Sequence, residues 1–180
     1  MLNEKRKERS MKKILPVFIL FIGCLFIMNA GGEEGFTYVG AEKCQMCHKS
    51  EKSGMQFPLW KERKHSQSFS ALNSEEVLAK VPDAPDNPEC LKCHSPLFEK
   101  APDLKEEGVS CEACHGPGSA YKKLTIMKSH EESVKNGITD YTSIEDIKTL
   151  CMTCHENAHD EPFDFKSAWE KAKHPRPEPE

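Results

Sequence analysis

The chain has 180 residues, of which 37% are hydrophobic and 30% charged, and its 25 basic and 29 acidic residues give a formal net charge of −4. The length is that of one ordinary domain with a leader. The acidic balance argues against a nucleic-acid partner. The apolar content is modest for a domain that must build its core from amino acids alone.

The N-terminus combines a basic head with an apolar run over residues 14–28. This run contains Pro16 and is shorter than the roughly 20 apolar residues that a membrane span needs. We therefore predict a secretory signal, residues 1–30, followed by a mature domain, residues 31–180. Retention as an N-terminal anchor, or lipidation at Cys24, is the alternative.

Removal of this leader leaves 19 of the 25 basic and 27 of the 29 acidic residues, a net charge of −8. A surface of this sign favours a partner with a basic docking patch. Solubility alone is an equally simple explanation.

The mature chain is predicted to be mostly α-helical with little or no sheet, because no alternation typical of strands is present. Proline, glycine and capping residues set the expected boundaries. A loop is expected over residues 81–88, which contain three prolines. The predicted helices cover residues 41–53, 58–72 and 119–130, a segment that starts at Ser143, and a last segment from Asp164 that closes at Pro175.

The pentapeptide Cys-x-x-Cys-His occurs four times and uses eight of the nine cysteines. This motif is typical of covalent c-type haem attachment. Cysteines three apart share one face of a helical turn and can bond both vinyl groups of one porphyrin, while the next histidine ligates the iron. The candidate attachment residues are Cys44, Cys47, Cys90, Cys93, Cys111, Cys114, Cys151 and Cys154, and the candidate proximal ligands are His48, His94, His115 and His155.

Two other chemistries use paired cysteines. Two Cys-x-x-Cys pairs can form a tetrahedral zinc site, and an exported protein can use its cysteines as a disulfide framework. Neither accounts for a histidine after every pair. The sequence therefore favours a compact fold organised around four haem c groups, which would also supply the missing apolar mass. Because haem is attached outside the cytoplasmic membrane, the motifs and the leader together predict a periplasmic protein.

Four of the eight histidines lie outside the motifs, and two axial histidines at each of four irons would use all eight. Apolar neighbours favour His65, His130 and His174 as distal ligands. His159 lies in a polar stretch and is expected to be exposed.

Methionine is the other common axial ligand, and Met55 and Met127 are the alternatives, with a core-filling role more ordinary for both. Bis-histidine ligation gives lower potentials than methionine–histidine ligation. Low potentials are therefore expected at all four centres.

The stretch from Gly108 to Tyr121 resembles the cytochrome c-554 family of periplasmic tetrahaem cytochromes, which is best known from ammonia-oxidising bacteria. The resemblance extends over residues 36–175. Further similar segments are Tyr38-Val39-Gly40, Trp60 followed by Lys64-His65, and Phe163-Asp164-Phe165 followed by Lys173-His174-Pro175.

This resemblance implies a mainly helical fold with haems stacked in pairs, and three of the haems with two histidine ligands each. The implied ligand pairs are His130 with His48, His174 with His115, and His65 with His155.

The fourth haem, attached beside His94, would be open on its distal side and covered by residues 161–163. It is the candidate catalytic position. His159 departs from the family pattern and could close this sixth position.

The leading functional hypothesis is electron transfer, because closely packed haems form a conducting chain. The resemblance implies a hydroxylamine-oxidising multihaem enzyme as donor and a membrane cytochrome as acceptor; a quinol-linked partner is the alternative. The second hypothesis is reduction of nitric oxide at the open iron, and the third is a non-redox metal-binding module. The membrane would be involved only through an N-terminal anchor.

Overall fold

A computed structural model describes residues 35–156 and 162–175. Within these two ranges the chain forms helices and turns and no β-strand. The prediction of a mostly α fold with little or no sheet is confirmed. The predicted leader with its possible anchor, Cys24 and His159 lie outside the described residues. No helix in the described ranges combines the length and the apolar character needed to cross a bilayer.

Ten α-helices and two 3-10 helices, Glu51–Ser53 and Pro102–Glu107, follow one another in the described ranges. Only one α-helix is longer than eight residues, and isolated helices this short are unstable in water. They must therefore be held by tertiary contacts. The α-helices are α1 Glu42–His48, α2 Gln56–Lys61, α3 Ser68–Ala71, α4 Glu75–Lys80, α5 Pro88–His94, α6 Cys111–His115, α7 Leu124–Met127, α8 His130–Lys135, α9 Ile144–His155 and α10 Phe165–Ala172.

Each of the four pentapeptides forms the last turn of a helix, since α1, α5, α6 and α9 all end at the histidine of a motif. The helix starts have local causes. Ser143 and Asp146 form a capping box before α9, and Pro88 occupies the first turn of α5 after the Asn87 cap. Asp164 caps α10. The helix starts predicted at Ser143 and Asp164 are confirmed.

Three predicted helices are wrong in extent. The segment 41–53 divides into α1 and a 3-10 helix, the segment 58–72 into α2 and α3, and the segment 119–130 gives way to turns and then α7. Serine hydroxyls account for the break before α3, because Ser66 Oγ donates to the carbonyls of Lys61 and Arg63. Such bonds offer the backbone an alternative to the helical ladder.

The breaks change the setting of the spare histidines, which were expected on helices. His65 lies in the turn between α2 and α3, and His130 is the first residue of α8, whose cap is Ser129. His174 follows the end of α10 by two residues. All three therefore stand at element ends, where a short backbone adjustment can aim the ring.

The apolar core is small. Eight apolar residues are buried in the described part of the chain, and four of them, Phe69, Leu72, Ala84 and Leu91, form one cluster. This cluster packs α3 against α5, which carries the second motif. A core of this size is poor for a domain of this length, so the fold needs further apolar mass at the motifs.

Candidate haem-binding sites

Two pairs of histidines face each other at similar separations. The ring centres of His65 and His155 are 6.2 Å apart, and those of His115 and His174 are 5.9 Å apart. A metal with an imidazole nitrogen at about 2.0 Å on either side holds the two ring centres roughly 6 Å apart. Both pairs therefore have the spacing of two ligands that share one metal ion.

His65, a member of the first of these pairs, has a pKa that favours the metal-binding protonation state. Burial lowers the pKa of His65, and the nearby His155 and Arg63 lower it further. A lowered pKa keeps the imidazole neutral at neutral pH, and the neutral ring is the form that binds a metal.

Phe163 stacks on the His155 ring, with ring centres 4.4 Å apart and planes inclined by 10°. The resemblance implies a position for segment 161–163 over the second-motif haem, whereas this contact joins Phe163 to the fourth-motif histidine. Stacking limits rotation of the His155 ring.

The second-motif histidine is oriented by a backbone carbonyl. His94 Nδ1 donates to the carbonyl oxygen of Ser68 over 2.8 Å. This bond fixes the tautomer and leaves Nε2 as the ligating nitrogen, the usual arrangement behind a metal-bound histidine. The family-implied open position at this site depends on His159, which lies outside the described residues.

The first-motif histidine has a side-chain partner instead. His48 Nδ1 lies 3.4 Å from Oε1 of Gln56, which is 9% exposed. The other end of the same amide donates from Nε2 to the carbonyl oxygen of Pro175 over 3.0 Å. The two contacts assign the amide oxygen to His48 and the amide nitrogen to Pro175.

His130 is not brought together with His48 among the described contacts. Its Nε2 lies 3.1 Å from Asp140 Oδ1, and its side chain is 73% exposed. The expectation that His130 serves the first-motif haem is therefore left as a prediction, and it requires the ring to leave Asp140.

The cysteines of different motifs meet in pairs. Cys44 and Cys111 interact through their thiols, which lowers the pKa of Cys44 and raises that of Cys111. Burial, with the neighbouring Cys154 thiol, raises the pKa of Cys93 to about 11. Burial also raises the pKa of Cys114 to about 11, with smaller contributions from Cys151 and Cys154. The first motif thus adjoins the third, and the second and third both adjoin the fourth.

These eight cysteines are free thiols in the described structure. In residues 35–156 and 162–175 no group of three or more histidine, cysteine or acidic side chains is arranged to hold a metal ion.

Two glutamates, the buried Glu112 and the half-buried Glu107, join the first motif to the third. Glu112, inside the third motif and 1% exposed, accepts hydrogen bonds from the backbone amides of Val39, Gly40 and Gly118 over 2.9, 2.7 and 2.6 Å. Glu107 accepts the next amide, that of Ala41, over 3.0 Å. The segment that leads into α1 is thereby fixed to α6.

Burial raises the pKa of Glu107, an effect that the Ala41 hydrogen bond partly opposes and that Glu112 and Glu42 reinforce. Sequence reasoning missed both carboxylates. The available signal was Glu112 itself, an acidic residue between the two cysteines, where the other three motifs carry Gln45, Leu91 and Met152.

Two tyrosine hydroxyls bond backbone carbonyls at the end of the third motif. Tyr141 donates from its hydroxyl to the carbonyl oxygen of Cys114 over 2.5 Å, and Tyr121 donates to that of Gly116 over 2.9 Å. Burial is the main cause that raises the pKa of Tyr141 to about 12. Both hydroxyls thus remain protonated donors at neutral pH.

The residues present fit covalently attached haem. Each motif offers two thiols on one helical turn and an imidazole directly after them. Ser110 Oγ, beside the third motif, is a buried polar atom without a hydrogen-bond partner in the described chain, as expected where a cofactor with polar edge groups completes the packing. The small core agrees with this interpretation.

Helical turns that end in thiol pairs and an imidazole define the class of c-type cytochromes, which bind haem covalently and act in electron transfer with redox partner proteins. Residues 43–116 match the family described as cytochrome c554 and c-prime. Cytochrome c-554 of Nitrosomonas europaea is 24% identical over 186 aligned positions, which cover 91% of this chain and 74% of that protein. Both comparisons confirm the resemblance to the cytochrome c-554 family. No solved structure matches the chain significantly.

Proposed function

We propose that this protein is a periplasmic tetrahaem cytochrome that carries electrons between redox partner proteins. The proposal rests mainly on two histidine pairs, whose ring centres are 5.9 and 6.2 Å apart. They occur in a chain with four attachment motifs. Haem c supplies a reversible one-electron couple, and the polypeptide supplies ligands, spacing and control of the potential.

In this proposal His155 and His65 ligate one iron, and His115 and His174 ligate another. His48 and His94 are proximal ligands of the other two. His130 is a distal ligand only if it leaves Asp140, so its assignment rests on the histidine count, its apolar neighbours in the sequence and the family resemblance.

The cysteine contacts support an order of the four attachment sites. Each thioether sulfur lies at the edge of its porphyrin, so sulfurs that meet bring two porphyrin edges together. The thiol contacts of Cys44 with Cys111 and of Cys154 with Cys93, together with the electrostatic influence of Cys151 and Cys154 on Cys114, support the spatial order first, third, fourth, second. Four haems in this order would form a row, and different partner proteins could dock at its two ends.

The proposed partners follow from charge and family. A mature net charge of −8, before the haem propionates are counted, suits partners with basic docking surfaces. The resemblance supports a hydroxylamine-oxidising multihaem enzyme as donor and a membrane cytochrome or quinol-linked protein as acceptor. Export by the leader, residues 1–30, supports a periplasmic location.

The haem count is tested on the exported protein. We expect mass spectrometry to find the polypeptide heavier by four haem groups, and a redox titration to find all four centres below a methionine–histidine cytochrome. A mass equal to that of the amino acids alone would remove the proposal.

The ligand pairs are tested by substitution. His65→Ala and His174→Ala should each convert one low-spin centre to high spin, and the double variant should convert two. Lys64→Ala, at an exposed neighbour of His65, is the control and should leave the spectrum unchanged. His130→Ala decides whether His130 is also a ligand. Unchanged low-spin spectra in the first two variants would refute the pairing.

A further inference from the structure

We propose that Gln56 is a positioning residue that sets the reduction potential of the first-motif iron through Nδ1 of His48. The proposal rests on the proposed function, because it assumes that His48 is an axial ligand. It assigns a role to a side chain that lies outside all four motifs and outside the set of spare histidines.

The first step of the argument is the burial of the amide. Gln56 is 9% exposed, and a buried amide is costly unless its polar atoms are bonded. Both ends have a partner: Oε1 faces His48 Nδ1 at 3.4 Å, and Nε2 donates to the Pro175 carbonyl at 3.0 Å. The side chain is therefore held at both ends and cannot turn over without losing both contacts.

The second step is the backbone that holds this amide. Gln56 is the first residue of α2, and Met55 before it has a positive φ of 56°, as does Gly54 with 92°. A Cβ on Gly54 would lie 2.8 Å from Gln56 Nε2 and 3.0 Å from the Pro175 oxygen. The left-handed turn thus lets the chain pass close enough for the amide to bridge α1 and the C-terminal segment.

The third step is the chemistry at His48. A hydrogen bond accepted from Nδ1–H raises the basicity of the ring and the electron density that Nε2 gives to the iron. A stronger acceptor stabilises the ferric state and lowers the potential, and loss of the acceptor raises it. The separation of 3.4 Å is about 0.5 Å longer than an ordinary hydrogen bond, so a small tilt of the ring completes it.

The test uses two substitutions of Gln56, one that gives His48 a stronger hydrogen-bond acceptor and one that removes the acceptor. Gln56→Glu should lower the midpoint potential of one of the four centres, and Gln56→Leu should raise the potential of the same centre. A purely structural role would move both variants in one direction, since both lose the bond to Pro175. Shifts of equal sign, or no shift in either variant, would overturn the proposal.

Two control variants test whether a change of charge, or a looser C-terminal segment, could shift the potential instead. Lys61→Gln changes the net charge by the same −1 as Gln56→Glu, at the exposed end of the same helix. It removes only an exposed ion pair with Glu42, which contributes little, and should leave the titration unchanged. Arg63→Met loosens the C-terminal segment without touching His48, and should spare the centre that responds to Gln56. If Lys61→Gln reproduces the shift of Gln56→Glu, long-range charge is the cause and the proposal fails.

The number of haems per chain, measured on every variant, distinguishes failure of the Gln56 proposal from failure of the proposed function. A wild-type protein without four haems would refute the proposed function. A wild-type protein with four haems, whose Gln56 variants do not shift one centre in opposite directions, would refute only the role of Gln56.

Discussion

Ser68 illustrates how much of the structure depends on single polar atoms. Its carbonyl accepts from His94 Nδ1, while its hydroxyl lies 2.7 Å from each of the carbonyl oxygens of His65 and His94. The same hydroxyl accepts from the amide of Val109 over 3.0 Å. One residue therefore joins the turn of His65 to the second motif and to the approach to the third.

Gly108 allows the backbone to pass close to Ser68 and His65, because it has no Cβ. Its φ is +67°, and a Cβ would lie 2.6 Å from Ser68 Oγ and 2.8 Å from the carbonyl oxygen of His65. Gly108→Ala should lower the free energy of unfolding of the haem-loaded protein by at least about 2 kcal/mol, measured by denaturant titration. Gly35→Ala, where a Cβ meets nothing within 4 Å, is the control and should change it little.

Glu112 and Glu107 should respond differently to removal of their charge. Glu112→Gln turns an amide group towards three backbone donors, so at least one donor loses its partner, at a cost of about 2–4 kcal/mol. Glu107→Gln should be tolerated better, because Gln can still accept the Ala41 amide. Denaturant titrations of both variants at pH 7 test this contrast, which equal losses would contradict.

The pH dependence of the Glu107 variant follows from the raised pKa. The folded protein favours protonated Glu107, so this group contributes stability that is complete below its ordinary value of 4.5. That contribution is lost as the pH rises through the folded pKa. Between these two values the unfolding free energy of Glu107→Gln should fall less with rising pH than that of the wild type. Parallel pH profiles would refute this assignment.

At the scale of elements, the Arg63 side chain binds the end of the last helix, next to a proposed ligand. The Arg63 guanidinium donates to the carbonyl oxygens of Ala172 and Lys173 over 2.6 and 2.9 Å, at the C-terminal end of α10. A cation at this end also interacts favourably with the helix dipole. The position of His174, one residue further, is thus coupled to Arg63.

Arg63→Met should therefore weaken the hold on His174 while keeping the apolar stem of the side chain. We expect a fraction of one centre to become high spin, with the other three unchanged, in the optical spectrum of the oxidised protein. Arg63→Lys, which keeps one charged donor, should give a smaller fraction. Equal, fully low-spin spectra in both variants would contradict the coupling.

Element boundaries show what the sequence could predict. The starts at Ser143 and Asp164 were predictable because a cap acts through bonds within a few residues. The breaks at Ser66 and Ser129 were not, because a serine side chain can either tolerate a helix or bond a nearby backbone group, and the sequence does not tell which it does. The motifs were visible as local patterns, whereas the roles of Gln56, Glu107 and Glu112 depend on partners more than 60 residues away in most cases.

At the scale of the whole molecule, the protein interior is poor in apolar side chains. Eight apolar residues are buried in the described ranges, and the largest side chain that is fully buried is that of Glu112. Burial of apolar surface is the main term that offsets the loss of chain entropy on folding. Attached haem would therefore be part of the core rather than an addition to a finished fold.

A chain made without haem tests this view. Residues 31–180, produced in the cytoplasm where haem is not attached, should lack a cooperative thermal transition by circular dichroism. The exported form should unfold in one sharp transition at a higher temperature. A cooperative transition in the haem-free chain would show that the polypeptide has a sufficient core of its own.

The meeting of cysteines from non-consecutive motifs has a consequence for the maturation of the chain. The first motif adjoins the third and the second adjoins the fourth, so the partners interleave along the sequence. No single cut of the backbone would therefore give two fragments that each contain two motifs adjoining in space. In the proposed export through the membrane, the first two sites would therefore lack these neighbours until the later motifs have crossed.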